Sequence, residues 1–247
     1  MGNYMINNAF NDWLQQSAAG LALYATEANF FAAECQEIFG QTAVQLGGAW
    51  QALEKAQVSR KIILSQTPET NTHIVCDWQQ LPLSSESVDA VILPHSLNFH
   101  AHPHGVLREV YRVLRGEGRL IITGFNPLSI WYLSSLCGKT LPPRPRFIQL
   151  ARLKDWLELL GFALNTGKFM QYTPPLSDNK VLKYFNFINA AGDRWLPDCA
   201  AVYGISAIKR HYNARPIRQP EKKFTPVGNV GFATANIPEK TAYNAES

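Results

Sequence analysis

Nothing in this chain reads as a disulfide framework. Its four cysteines, Cys35, Cys76, Cys137 and Cys199, lie far apart with no paired spacing, which points to free thiols in a reducing compartment. The N-terminus has no basic region followed by an apolar core, and no apolar run approaches membrane-spanning length. A soluble, cytoplasmic protein is therefore expected. Met1-Gly2 would suit myristoylation, but Ile6 stands where that signal wants Ser or Thr. Basic residues are scarce in the first part of the chain: residues 1–100 hold 3 Lys or Arg against 9 Asp or Glu, whereas residues 101–247 hold 20 against 10. The basic part suits nucleic acid or anionic metabolites, or simply a solvated surface. What is plentiful is apolar content, 46% of 247 residues, enough to bury a substantial core in one domain.

The stretch from Ile74 to Pro127 reads as one unit. A short apolar strand, His73 to Cys76, stops at Asp77, a poor strand residue. A second strand, Val88 to Leu93, lacks clean alternation, as a strand covered on both faces does, and Pro94 stops it. Pro103 suits the first turn of a helix carrying Val106, Leu107, Val110, Val113 and Leu114 at helical spacing, ended by Gly116 and Gly118. A third strand, Arg119 to Thr123, runs into Gly124-Phe125-Asn126-Pro127, where Asn126 can cap a further helix, expected to run to Cys137. Strand, helix, strand with short links means a right-handed crossover, with ligands bound beyond the carboxyl ends of the strands. That rule selects Asp77, Pro94 to Asn98 and Gly124 to Asn126.

These residues carry a resemblance. Asp77, Leu81-Pro82-Leu83, Ser87-Val88-Asp89, the run Leu107 to Leu114 and Gly116-Glu117-Gly118-Arg119-Leu120 resemble the central half of class I S-adenosylmethionine-dependent methyltransferases of the small-molecule, type 11-like kind. Leu46 to Lys209 is similar to a bacterial branch of that group with a reduced glycine loop, Gly-Phe-Asn-Pro (here 124–127), Gly-Asp-Arg-Trp (here 192–195) and a basic tail. The resemblance implies an α/β, Rossmann-like, doubly wound and mostly parallel seven-stranded sheet with the last strand antiparallel, here preceded by N-terminal helices. It also implies a small-molecule acceptor and S-adenosyl-L-methionine as cofactor, bound by Leu46, Gly47, Gly48, Asp77, Trp78, Pro94 and His95. His95, Asn98 and Asn126 are the candidate catalytic residues, and His95 with Asn98 is expected nearest the transferred methyl.

The remaining segments fall around that unit. Residues 6–39 read as helical, with Ile6, Phe10, Trp13 and Leu14 on one stripe, Thr26 as a second cap and Gly40 as a stop. Ala43 to Leu46 is the expected central strand. Gly47-Gly48 then leads into a helix over 49–58, with bulky Trp50 where the family wants close backbone approach. The next strand, Lys61 to Leu64, ends in Ser65-Gln66 instead of the acid that takes the ribose hydroxyls in the family, which leaves Glu69 as a substitute. His100, His102 and His104 alternate, but no cysteine or carboxylate lies close by in sequence, and no metal is expected. A helix over 148–160 closed by Gly161 and strands at 162–172 and 200–208 complete the sheet. The domain expectation is a helical extension at 1–40, a methyltransferase domain at 41–212 and a disordered basic tail at 213–247. The candidate lid spans 176–198, with Tyr184, Phe187, Arg194 and Trp195 as contacts. Methyl transfer to a small molecule ranks first. A non-catalytic, methyltransferase-like binding protein ranks second and RNA methylation third, since Pro-His-Ser-Leu follows Leu93 where base-methylating enzymes carry Asn-Pro-Pro-Tyr.

Overall fold

Two helices, α1 (Gly2–Gln16) and α2 (Ala18–Cys35), open the chain, separated by Ser17 alone. Ser17 Oγ accepts the Gly20 N–H at 2.9 Å, so Ser17 and not Thr26 caps α2. Thr26 lies inside α2, where its hydroxyl donates back to the Ala22 carbonyl. At Gly20 a Cβ would fall 2.5 Å from the Trp13 carbonyl oxygen, so its missing side chain lets the two helices approach. Gly40 does not stop α2. It lies in the first strand at φ +149°, where a side chain would meet the Asp89 carboxylate.

The structure is a computed structural model that describes residues 2–47, 50–69, 71–136, 145–173 and 199–210. After the helical pair come β1 (Phe39–Leu46), β2 (Gln57–Ser65), β3 (Ile74–Val75), β4 (Val88–Pro94), α3 (Ser96–Phe99), α4 (Pro103–Val113) and β5 (Leu114–Phe125). Then follow α5 (Ile130–Leu136), α6 (Leu150–Leu160), β6 (Phe162–Met170) and β7 (Val202–Lys209). The strands form one sheet in the order β3-β2-β1-β4-β5-β7-β6. β1 pairs in parallel with β2 and β4, while β7 runs antiparallel to both β5 and β6. The doubly wound, mostly parallel sheet with an antiparallel last strand is thus the architecture found. The candidate lid at 176–198 and the tail at 213–247 lie outside the described residues.

Each face of the sheet has its own core. Val91, Leu93, Leu120 and Ile122 meet α4 and α6 through Val106, Leu107, Val110, Leu153 and Leu157. Each such side chain, fully buried, contributes roughly 1.5 to 3 kcal/mol. Ala90, Ile92, Ile121 and Phe125 on the opposite face meet α1 and α2 through Phe10, Leu14, Leu23, Phe30 and Phe31.

The structure changes some expected boundaries. α4 ends at Val113 and Leu114 enters β5 directly, so Gly116 and Gly118 lie within a strand rather than ending the helix. A register shift between Val88 and Ala90 absorbs the extra residues there. β3 is two residues long and exposed, leaving Cys76 half-buried just beyond it rather than inside a buried strand. α5 begins at Ile130 instead of Asn126, because the Asn126 side chain holds a turn first by accepting the Leu128 N–H.

Candidate active site

The order of strands reverses between β1 and β4, and the crevice beyond their carboxyl ends is where a ligand belongs in such a sheet. Its floor starts at Leu46, buried at the end of β1. Gly47 follows at φ +99°, a conformation that favours glycine, and its N–H bonds the Leu64 carbonyl. A Cβ on Gly47 would meet Trp78 at 3.9 Å and Ser96 Oγ at 4.0 Å, ordinary van der Waals contact, so the backbone conformation rather than a steric clash favours glycine there. Gly48 lies outside the described residues.

Among the described residues between β1 and β2 there is no helix. Residues 52–55 form a turn, and β2 begins at Gln57. The cause is Gln45, fully buried in β1. Its amide donates to the carbonyls of Gly47 and Trp50, both at 2.6 Å, and accepts the Ala52 N–H at 3.2 Å. A buried amide satisfied by three backbone groups fixes a short loop instead of a helix. Trp50 is drawn into the core against Phe10, Tyr24 and His95. The expected helix over 49–58 is corrected accordingly.

Beyond β2 and β3 lies a cleft of about 400 Å³ lined by Gln66, Val75, Cys76, Asp77, Gln79, His100 and Ala101. Asp77 is exposed, and its Oδ1 accepts the Gln79 N–H at 2.9 Å, which leaves Oδ2 for other partners. Trp78 is buried, with His100 stacked on its ring at 6.0 Å. Burial holds the His100 imidazole below its usual pKa, and its Nδ1 accepts the His102 N–H. His104 packs instead on Trp156, so the alternating histidines serve separate neighbours. Just past β2, Glu69 collects three donors: Ser65 Oγ at 3.0 Å and Thr67 Oγ1 at 3.1 Å on Oε1, and Asn11 Nδ2 at 3.2 Å on Oε2. The position that lacked an acid in sequence thus gains a carboxylate from four residues downstream.

His95 follows Pro94, the last residue of β4, in the left-handed region at φ 52°. Its side chain is fully buried, and Nε2 lies 2.7 Å from Glu27 Oε1, a side chain also at 0% exposure. Phe125 at 4.2 Å, Trp50 at 5.4 Å and Phe10 at 5.6 Å enclose the ring. Asn98, expected beside it, serves the backbone instead: its Oδ1 accepts the Phe125 N–H, and its Nδ2 donates to the Arg146 carbonyl. Asn126 donates to the Ala200 carbonyl at 2.9 Å. Both amides brace the wall behind His95.

The carboxyl ends of β1 and β4 thus carry Leu46, Gly47, Pro94 and His95, with His95 fully buried, and Trp78 lies 3.9 Å from where a Cβ on Gly47 would stand, while Asp77 lines the cleft beyond β3. Sequence reasoning missed Gln45 and Glu27. Glu27 had a signal: it stands four residues after Leu23 and four before Phe31, a lone carboxylate in an apolar helical stripe, which requires a buried partner.

Residues 41–122 match the family model described as a methyltransferase domain. With the strand order above, this defines the fold as that of class I methyltransferases. The chain is 41% identical over 100 residues to the uncharacterized protein YafS of Escherichia coli (strain K12), covering 39% of this chain and 42% of that one. It is 26% identical over 136 residues to a demethylmenaquinone methyltransferase of Protochlamydia amoebophila, covering 50% of each. The matches thus span half or less of these curated relatives. Among solved structures, the complex of the Haloferax volcanii Trm112 methyltransferase activator with a methyltransferase aligns at TM-score 0.58 and 16% identity, over 84% of this chain and 98% of that one. The [4+2]-cyclase SpnF aligns at TM-score 0.53 and 16% identity, over 74% and 80%. One fold thus carries different reactions. No helix among the described residues is long and apolar enough to cross a membrane.

Proposed function

We propose that this protein transfers a methyl group from S-adenosylmethionine to a small-molecule acceptor. The observation that carries the reading is the cleft beyond β2 and β3. Asp77 offers a carboxylate oxygen to its exposed side, and Glu69, just past β2 and not among the residues lining the cleft, is held by Ser65, Thr67 and Asn11. A carboxylate in a largely apolar cleft suits an adenosine, with Asp77 toward the adenine amino group and Glu69, just past β2, toward the ribose hydroxyls. Leu46, Gly47, Gly48, Trp78 and Pro94 would border the remainder of the cofactor, and His95 would stand nearest the transferred methyl. When bound, the sulfonium supplies the electrophilic methyl, and the chain contributes mainly by aligning the acceptor with it. A relative that bears the name demethylmenaquinone methyltransferase supports an acceptor of small size. The free thiols at Cys35, Cys76 and Cys199 support a reducing, cytoplasmic setting.

A second reading, a binding protein that does not catalyse, is favoured by the loop after β1. Trp50 is buried where the family places a glycine loop and a helix N-terminus, so the usual seat for the methionine carboxylate is altered. Calorimetric titration with S-adenosylmethionine and S-adenosylhomocysteine separates the two. The first reading expects heat of binding, a dissociation constant on the order of micromolar or weaker, and a melting temperature that rises with ligand. Silence in both measurements at millimolar ligand rejects it in favour of the second.

A further inference from the structure

The pair formed by Glu27 and His95 has no structural counterpart elsewhere among the described residues. Both side chains are at 0% exposure, they come from elements 68 residues apart, and each has an atom without a hydrogen-bond partner among the described residues: Oε2 of Glu27 and Nδ1 of His95. Two further unpartnered buried atoms belong to residues in contact with His95. Trp50 Nε1 sits on the indole stacked against the imidazole, and Thr123 Oγ1 belongs to the residue whose carbonyl accepts the His95 N–H. Leaving a buried polar atom unpaired costs about 1 to 3 kcal/mol, so two such atoms on one buried pair, with two more on residues in contact with His95, are not explained by stability. His95 also occupies the left-handed region, a conformation that a non-glycine residue keeps when its surroundings impose it.

Resting on the methyl-transfer reading, we propose that Glu27 is the positioning carboxylate of a Glu27–His95 pair that takes a proton from the acceptor. The acceptor is then a planar, largely apolar molecule presenting a hydroxyl group. Nε2 donates to the Glu27 carboxylate, which fixes the tautomer and leaves the Nδ1 lone pair as the base. The acceptor O–H gives its proton to Nδ1. Its oxygen forms the new bond to the methyl carbon, while the methyl–sulfur bond breaks with its electron pair passing to sulfur. The proton on the imidazole leaves to solvent after product release, and the Glu27 carboxylate stabilises the imidazolium in between.

The shape of the acceptor follows from the shell. Phe10, Trp50 and Phe125 surround the ring, with Phe99 on Phe10 and Trp131 on Phe125 behind them. Such a lining stacks a flat apolar molecule and gives a charged or strongly polar one few partners. Glu27 is the titratable group bonded to the ring, and the other contacting rings are uncharged. With the imidazole fully buried, access of the acceptor requires one of the enclosing rings to move, and Phe10 is the one carried by α1. That helix meets α2 through the one-residue joint at Ser17.

The test uses the full chain with S-adenosylhomocysteine present and 4-nitrophenol as probe, a planar phenol whose phenolate absorbs in the visible. At a pH where the free phenol is protonated, the wild type should convert bound probe to phenolate. Glu27→Gln should lower that ionised fraction about tenfold or more, the equivalent of one pK unit of basicity, and His95→Gln should abolish it. Nitrogen-15 NMR of the imidazole, recorded on the wild type alone, should show the Nε2–H tautomer at neutral pH, and Glu27→Gln should lose that preference. Wild-type His95 in the Nδ1–H form overturns the proposal. So does probe ionisation that is equal in wild type and Glu27→Gln. Calorimetry on the same samples separates the two layers: failure of S-adenosylhomocysteine to bind the wild type defeats the methyl-transfer reading, whereas binding with unaltered probe ionisation defeats the role of the pair.

Discussion

The two faces of the sheet solve different problems with the same strands. Against α4 and α6, alternate residues of β4 and β5 meet Val106, Leu107, Val110, Leu153 and Leu157 in aliphatic packing. The charged groups of α4 stay near the surface, as in the Arg112–Glu109 pair, where the hydrogen bond from Arg112 holds the Glu109 carboxyl below its usual pKa. Against α1 and α2, the intervening residues of the same strands meet aromatic rings, and polar side chains go inside: Glu27 and His95 are fully buried, as is Gln45. Burying a carboxylate against an imidazole is a poor route to stability, because desolvation offsets much of the attraction. The aliphatic face therefore supports the fold, and the aromatic face carries groups that folding alone does not require.

Breaking the pair is the sharpest way to test that contrast. Glu27→Ala leaves His95 buried without its acceptor and should cost about 3 to 5 kcal/mol in urea-induced unfolding. The double replacement Glu27→Leu with His95→Phe should recover most of that loss and can exceed wild-type stability, since it exchanges a buried polar pair for packing. A double variant as unstable as Glu27→Ala would make the pair a structural necessity and erase the distinction between the faces. Leu107→Ala is the matching change on the aliphatic side. It should cost about 2 to 5 kcal/mol through a cavity while leaving S-adenosylhomocysteine affinity within error of wild type.

A smaller effect is expected at the cleft. Asp77→Asn keeps the oxygen that accepts the Gln79 N–H, so the turn and the melting temperature should hold. A charge-assisted hydrogen bond to the ligand would be lost, worth about 1.5 to 3 kcal/mol of S-adenosylhomocysteine affinity by calorimetry. Unchanged affinity would reduce Asp77 to a strand-end acid that holds its own turn.

The same contrast explains what is legible in the chain alone. What local pattern governs is visible there: α4 with its stripe, the strands at Val88 to Leu93 and Arg119 to Thr123, which lie within the longer β4 and β5, and α6 closed at Gly161 in the left-handed region at φ 92°. These features depend on neighbours three, four or two residues away, and local sequence records them. What escapes depends on distant partners. The loop after β1 is a turn because Gln45 takes three backbone bonds that a helix would have used, and a glutamine in an apolar strand does not announce its partners. Ser17 outcompetes Thr26 as cap because its hydroxyl faces a free N–H at Gly20, whereas Thr26 sits a full two turns inside. His95 reads as a group at an open crevice, since nothing near it in sequence predicts that α2 brings Glu27 across to it. Asp77 and Gly47 are legible because strand ends and glycines mark sheet crevices by themselves.

The mildest test is a footprint at the cleft, where Cys76 reports occupancy without altering it. Its thiol lines the wall beside Asp77, and burial together with the neighbouring Asp77 carboxylate pushes its pKa up to about 11. The thiolate is the reactive form, so alkylation by iodoacetamide should be slow near neutral pH and quicken about tenfold per pH unit until pH nears that value. Cys35 lies fully buried with its pKa pushed up to about 12 and should react more slowly still, which lets peptide mass mapping separate the two. Adenosine or S-adenosylhomocysteine in the cleft should slow Cys76 several-fold at fixed pH and leave exposed Cys199 unaffected. Protection by the complete nucleoside but not by free methionine would place binding at the β2 and β3 end, away from the loop filled by Trp50. Equal protection by methionine alone would move the ligand toward β1 and take Cys76 and Asp77 out of the site.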